Sequence, residues 1–362
     1  MDNSIIEIEK IKGEDCRALQ KSNLLKLMDE GKLHPYVELV KKHSELELCF
    51  RGNGDPERIN IYFNNHQVFK IEQSGAVYVS FDHARYCDNW KEYLDVLKEY
   101  EFNIPVEILT SGGKDSIGEL KRNSFRYALS TEEVEFLYTE VVKPMFERYF
   151  EVEGCNNVID YFKKKVGEKK YVVRPASLTE KKEQQKLYSA IRDKKSGYFF
   201  YDLEFAQKHE NKKARDDDEN KNKPDMQAIK FNEKGKPDKL VFVEVKCTKS
   251  AWDSGTSGLV DHIKRMREYE NDGINMSARR KEAYLIIKQY SILGLRGLNM
   301  EDCFEYDDFE NLSLEILIIL TGDAKKRWEE DYSPQMMAIK KDAIPYVCSS
   351  YEDALFFSLK EL

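Results

Sequence analysis

The chain has 362 residues, of which 41% are hydrophobic, 12% aromatic and 34% charged. That length accommodates two domains of ordinary size, and the mixture suits globular cores under a thoroughly polar surface. A formal net charge of −8 argues against a chain that coats nucleic acid by bulk attraction, while leaving room for one local basic groove.

Cysteine usage narrows the setting. Cys16, Cys49, Cys87, Cys155, Cys247, Cys303 and Cys348 form no CxxC pair and cluster with none of the six histidines. An odd, dispersed set predicts reduced thiols in a cytoplasmic protein rather than a disulfide framework or a zinc site. The start, MDNSIIEIEK, lacks a basic region followed by an apolar segment, so no signal peptide is expected. No apolar run approaches the roughly 20 residues of a membrane helix, and no membrane partner is expected.

In chain order, residues 1–168 read as a smaller α+β domain. NLLKLMDEGKL (23–33) and PYVELVKKH (35–43) have helical spacing. ELELCFR (45–51), INIYFN (59–64), HQVFKIEQ (66–73) and AVYVSFDH (76–83) read as strands separated by short turns, which predicts an antiparallel meander. Ser130 and Glu133 make a capping-box pair before a helix whose Val134, Leu137, Tyr138, Val141, Met145 and Tyr149 form one stripe. Pro144 should kink or split it. His34, His43, His66 and His83 read as core or surface histidines rather than ligands, and RGNGDPE (51–57) as a hairpin turn rather than a phosphate loop.

Residues 169–362 form the second expected domain. Pro175 and the Ser177/Glu180 pair predict a helix over 178–193, ended by Ser196 and Gly197. GYFFYDLEF (197–205) reads as a strand. KHENKKARDDDENKNK (208–223) reads as a solvated loop, and its Asp216, Asp217 and Asp218 lack the Gly and spaced Glu of a calcium loop. PDMQAIKF and KLVFVEVK then form a hairpin through NEKGKPD, whose Asp238 is assigned to the turn. LEILIIL (314–320) has the length of a buried strand.

The hairpin carries the chemistry. Alternation directs Val241, Val243 and Val245 into a core and brings Phe242, Glu244 and Lys246 out together on the other face. Pairing brings Asp225 close to them. Two carboxylates from rigid strands suit Mg²⁺, with Mn²⁺ as a substitute; a metal ion lowers the pKa of a bound water, and a lysine beside it orients that water and offsets developing charge. Those residue types point to metal-assisted phosphodiester hydrolysis.

Pro224-Asp225 followed by Glu244-Val245-Lys246 resembles the PD-(D/E)XK nuclease superfamily over roughly residues 175–320. The resemblance implies a restriction-endonuclease-like mixed β-sheet flanked by helices, Mg²⁺ dependence and cleavage of DNA, less often RNA. It implies Asp225 and Glu244 as metal ligands and Lys246 as the catalytic lysine. A further acid from upstream is expected, with Glu204 and Glu183 the candidates. Lys249 beyond the strand is a candidate phosphate contact. SGTSGLVDHIKRMREYE (254–270) reads as a helix with Leu259, Ile263 and Met266 on its core face, and His262, Lys264 and Arg265 on faces that could line a substrate groove. Ala283–Ile287 reads as another core strand, preceded by a basic patch of Arg279, Arg280 and Lys281 for backbone contacts.

The function expected is a Mg²⁺-dependent DNA endonuclease in which an activated water attacks a phosphate directly. No ATP-binding loop is present. The first domain would recognise a substrate, partner or signal, by analogy with nucleases of prokaryotic antiviral defence. A homodimer would suit double-strand cutting by symmetry. Two other readings stand beside it. One is an inactive nuclease-fold module that binds nucleic acid or protein. The other is an unrelated α/β protein in which Lys246 and Glu244 form a structural salt bridge without metal affinity.

Overall fold

The computed structural model describes residues 16–53, 57–63, 66–73, 77–80, 106–110, 118–122, 129–144, 184, 187–188, 197–203, 224–247, 259–271, 273–302, 304–320, 324, 326, 330–331, 333–334, 337, 344–347 and 360–361. The chain divides into two compact units, one of Leu19–Leu178 and one of Met1–Ala18 with Thr179–Leu362. The domain boundary expected near 168 lies outside the described residues. Both units are mixed α+β.

The first unit opens with a four-residue helix α1 (Lys21–Leu24) and then α2 (His34–Lys42). The helix expected over 23–33 stops at Leu24, and the chain turns through the rest. Asp29-Glu30-Gly31 explains why: Glu30 takes a positive φ of 67°, and a Cβ on Gly31 would lie 2.4 Å from the Lys26 carbonyl oxygen. Only glycine tolerates that approach. The meander is as expected, with β1 (Leu46–Arg51), β2 (Arg58–Phe63), β3 (His66–Glu72) and β4 (Val77–Ser80) paired antiparallel in succession. Two strands that no sequence signal marked, β5 (Val106–Thr110) and β6 (Gly118–Arg122), extend the sheet in the order β1-β2-β3-β4-β6-β5.

Ser130 and Glu133 form the expected capping box of α3 (Thr131–Phe136). The helix then widens into a π turn over Leu137–Val142, just before Pro144. Proline has no N–H to give and its ring crowds the carbonyl four residues back, so a local loss of α geometry is its usual consequence. Val134, Leu137 and Tyr138 of the expected stripe are buried; Met145 and Tyr149 lie outside the described residues. His34 and His43 make structural contacts, His34 Nδ1 with the Leu27 carbonyl at 3.1 Å and His43 Nε2 with Glu135 at 2.9 Å.

In the second unit, Gln184, Leu187 and Tyr188 of the expected 178–193 helix are described and helical. Among the described residues its sheet has six strands. β7 (Tyr198–Leu203), β8 (Met226–Phe231) and β9 (Pro237–Lys246) form an antiparallel meander. β10 (Ser313–Leu320) lies parallel to β9, β11 (Ile344–Val347) parallel to β10, and β12 (Lys360–Glu361) closes the sheet antiparallel. Gly235 takes φ 71° in the β8–β9 turn. Asp238 is an exposed residue of β9 rather than part of that turn.

Two helices, α4 (Leu259–Glu270) and α5 (Gly273–Leu293), connect β9 to β10. A short α6 (Asp307–Glu310) precedes β10. Leu259, Ile263 and Met266 are buried as expected of the α4 core face. Ala283–Ile287 is not a strand; it is the middle of α5. All five residues are buried, and a short apolar run buried on every side has the same sequence pattern in either conformation. The basic patch does not form either. Arg279 is 1% exposed and paired with Glu282, and Arg280 donates to the Leu312 carbonyl at 2.7 Å. Among the described residues no helix is long and apolar enough to cross a membrane.

Candidate functional site

The valines of β9 do what alternation requires, since Val241, Val243 and Val245 are all fully buried. The opposite face departs from expectation. Glu244 and Lys246 do not emerge at an open edge: Glu244 is 0% and Lys246 4% exposed. α4 covers them. Tyr269 packs on Phe242 with ring centroids 5.6 Å apart, and His262, about two turns earlier on the same helix, reaches Glu244. On the β10 side their partners are apolar, Ile318 opposite Glu244 and Leu320 opposite Lys246. Among the described residues, the polar groups shown here against Glu244 are Lys246 of β9 and His262 of α4.

Lys246 Nζ and His262 Nδ1 each lie 2.6 Å from the same oxygen, Glu244 Oε1. Both approach at hydrogen-bonding distance, although neither carboxylate oxygen of Glu244 receives a well-aligned donor. Burial alone would push this carboxyl up. The Lys246 ammonium and the His262 ring outweigh it and hold Glu244 down to about 2, so the side chain stays ionised inside the fold.

Asp225 immediately precedes β8. Met226 pairs with Val243, so the register continued by one residue sets Asp225 opposite Glu244. Its Oδ2 accepts the Val245 backbone N–H at 2.8 Å. That bond fixes one carboxylate oxygen against the backbone between Glu244 and Lys246 and orients the other. Asp225, Glu244, Lys246 and His262 are thus drawn to one end of the β8–β9 hairpin.

The remaining expected residues fall elsewhere. Glu204, Glu183 and Lys249 lie outside the described residues. Arg265 is half-buried on α4, three residues past His262, and Lys264 is exposed. Among the described residues there is no group of three or more His, Cys, Asp and Glu able to hold a metal ion. Two carboxylates suffice for Mg²⁺, which keeps several waters and commonly takes one or two protein carboxylates plus substrate phosphate. The fit rests on Glu244 Oε2, a buried anionic oxygen without a hydrogen-bond partner. Such an atom is expensive unless an ion or polar ligand meets it.

Sequence reasoning did not find Gln227 or Tyr201. Gln227 is fully buried two residues beyond Asp225, on the same face of β8, and Tyr201 Oη donates to its Oε1 at 3.0 Å. The signal was present in the spacing, because alternation from Asp225 puts residue 227 beside the acids. No family model matches the chain, and no curated protein or solved structure shows significant similarity to it.

Proposed function

We propose that the chain is a Mg²⁺-dependent nuclease that hydrolyses phosphodiester bonds, with DNA as the leading substrate, built on a restriction-endonuclease-like second unit. The observation that carries this reading is the ionised, fully buried Glu244 with an unpartnered oxygen, set beside Asp225 and Lys246. The sheet is compatible with it: an antiparallel three-strand meander presents the acids, and the chain then crosses through two helices to a parallel neighbour of the acid-bearing strand. Under this reading the first unit recognises a substrate, partner or signal, by analogy with two-domain defence nucleases.

Asp225 and Glu244 would hold the ion, which supplies an acidified water and neutralises charge on the phosphate. The chain's own residues do the rest. Lys246 keeps Glu244 ionised and offers an ammonium to the attacking water or to the developing negative charge. His262 shares the load on Glu244 Oε1 and steers its carboxylate plane. The Val245 N–H holds Asp225 in one orientation.

One observation favours a second reading. The 2.6 Å approach of Lys246 to Glu244 is what a purely structural ion pair would also show, and that reading has no metal affinity. The two are separated by incubating the full chain with supercoiled, linear and single-stranded DNA and with RNA, in Mg²⁺, in Mn²⁺ and in EDTA. The nuclease reading expects metal-dependent cleavage, abolished by EDTA and reduced by on the order of 10²–10³ or more in Glu244→Ala and Lys246→Ala. Cleavage undiminished in those variants would remove the site from consideration. Absence of both cleavage and Mg²⁺ or Mn²⁺ binding by calorimetry would favour the ion pair.

A further inference from the structure

Gln227 is 0% exposed, and its two polar atoms have opposite fates. Oε1 accepts from Tyr201 Oη at 3.0 Å, while the buried Nε2 has no hydrogen-bond partner. A buried amide donor left unmade costs on the order of 1–3 kcal/mol. The phenol is well suited to fix this orientation: burial, followed by the nearby Glu282 and Asp202 carboxylates, pushes Tyr201 well above its ordinary value. It therefore remains a hydroxyl donor, its proton goes to Gln227 Oε1, and the NH₂ group is turned the other way.

The second unpartnered atom lies on the same face. Gln227 pairs with Phe242, and Glu244 is the next residue on that face of β9, the diagonal neighbour. Diagonal neighbours in an antiparallel pair are roughly 7 Å apart at Cα and somewhat closer at Cβ. A single oxygen that accepts one hydrogen bond and donates another spans up to about 5.6 Å between its partners. An orphan donor, Gln227 Nε2, and an orphan acceptor, Glu244 Oε2, thus belong to diagonal neighbours on one face of the hairpin, a spacing that one bridging oxygen suits. Asp225, two residues before Gln227 and opposite Glu244 by the same register, borders the same face.

We propose that Gln227 and Glu244 share one bound water, with Gln227 Nε2 donating to it and Glu244 Oε2 accepting from it, and that Gln227 is a positioning residue for the water used in hydrolysis. The assignment of that water to hydrolysis rests on the nuclease reading; the shared water itself does not. The geometry leaves this water one lone pair and one proton. The amide occupies one lone pair and the carboxylate one hydrogen, so the second lone pair is free to face a phosphorus or an ion, and the second hydrogen a base. A neutral amide fits this task better than a third carboxylate, because it adds a donor without adding charge to a pocket that already holds Glu244 ionised.

Two measurements on the full chain test the proposal. In metal-free protein with ¹⁵N-labelled glutamine, the Gln227 side-chain NH₂ should show a cross-peak to a long-lived water, and its resonance should move on addition of Mg²⁺. Cross-peaks to protein protons alone would overturn the shared water. In cleavage assays with Mg²⁺, Gln227→Met keeps the volume but removes the donor, and kcat should fall about 10–100-fold with KM within twofold. Tyr201→Phe should give a smaller loss in the same parameter by freeing the amide to rotate. A Gln227→Met enzyme of unchanged kcat overturns the positioning role, as does a variant whose loss lies wholly in KM. Should the wild-type chain cleave nothing, the nuclease reading and the positioning role fall together, and the water cross-peak alone decides the shared site.

Discussion

Glu244 is where burial and charge conflict most sharply. An isolated buried carboxylate would neutralise itself by taking a proton. Here Lys246 and His262, each 2.6 Å away, keep it ionised down to about pH 2, against an ordinary value of 4.5. Because the folded-state value lies below the unfolded one, the stability this carboxylate contributes is fully present above pH 4.5 and is lost as pH falls through about 2. The difference in unfolding free energy between wild type and Glu244→Gln, read from urea titrations, should therefore grow between pH 2 and pH 4.5 and be flat above it. A difference flat from pH 2 to 7 would mean that Glu244 is not held ionised. At pH 7, Lys246→Met should cost about 3–5 kcal/mol, since it strands a buried charge, whereas the double variant Lys246→Met/Glu244→Gln should cost much less. The convergence of Asp225, Glu244 and Lys246 was legible in the sequence because period-two alternation and hairpin pairing are local rules. His262 was a candidate only through the resemblance, as the polar residue such a helix carries near the site; no local rule said that α4 would lay it over β9. Its role depends on how a helix docks, which a single sequence does not encode locally.

At the scale of elements, α5 shows where pattern reading fails and why. Its segment 282–287, EAYLII, is buried throughout, so neither a period of 3.6 nor a period of 2 stands out against a polar face. The polar residues inside this helix are paired instead of exposed. Arg279 and Glu282, 1% and 0% exposed, face each other one turn apart, and Glu282 also accepts the Arg17 backbone N–H at 2.7 Å. Burial works against the Arg279 charge, and Glu282 more than restores it. Arg279→Met should lower the unfolding free energy by about 3–5 kcal/mol by leaving Glu282 in a dry interior, and Arg279→Met/Glu282→Leu should recover most of that loss. Thermal unfolding of the two variants and wild type measures it; equal losses in both would mean that the pair is not the stabilising unit. Two elements of the first unit with explicit punctuation were read correctly. The Ser130/Glu133 box begins α3 where expected, and Pro144 follows a departure from α geometry. The strands β5 and β6 carried no such marks, and their place in the sheet is set by pairing with β4.

At the scale of the whole chain, the order of residues and the order of folding units differ. Residues 16–18 precede the first unit in sequence, yet they belong with the second. Arg17 is 6% exposed; its guanidinium pairs with Asp202 of β7 and donates to the Leu203 carbonyl at 3.2 Å. Ala18 and Leu19, where the units change, are also buried. The acid-bearing sheet is therefore completed by residues on the far side of a unit of about 160 residues, spanning Leu19–Leu178. Asp202 is 2% exposed, so removal of Arg17 leaves a buried carboxylate without its guanidinium partner, at a cost of about 3–5 kcal/mol. That is a large share of the 5–15 kcal/mol typical of a domain. A fragment of residues 179–362 should consequently unfold at lower denaturant than the same unit in the full chain, whereas a fragment of residues 19–178 keeps its whole antiparallel sheet and should unfold cooperatively by itself. Arg17→Ala in the full chain should reproduce most of the first effect, and in an Asp202→Asn background the same substitution should cost no more than about 1 kcal/mol, because an amide tolerates the loss of a cation. Full-chain stability in the 179–362 fragment, or an Arg17→Ala penalty unchanged by Asp202→Asn, would show that the second unit does not depend on the segment before the first.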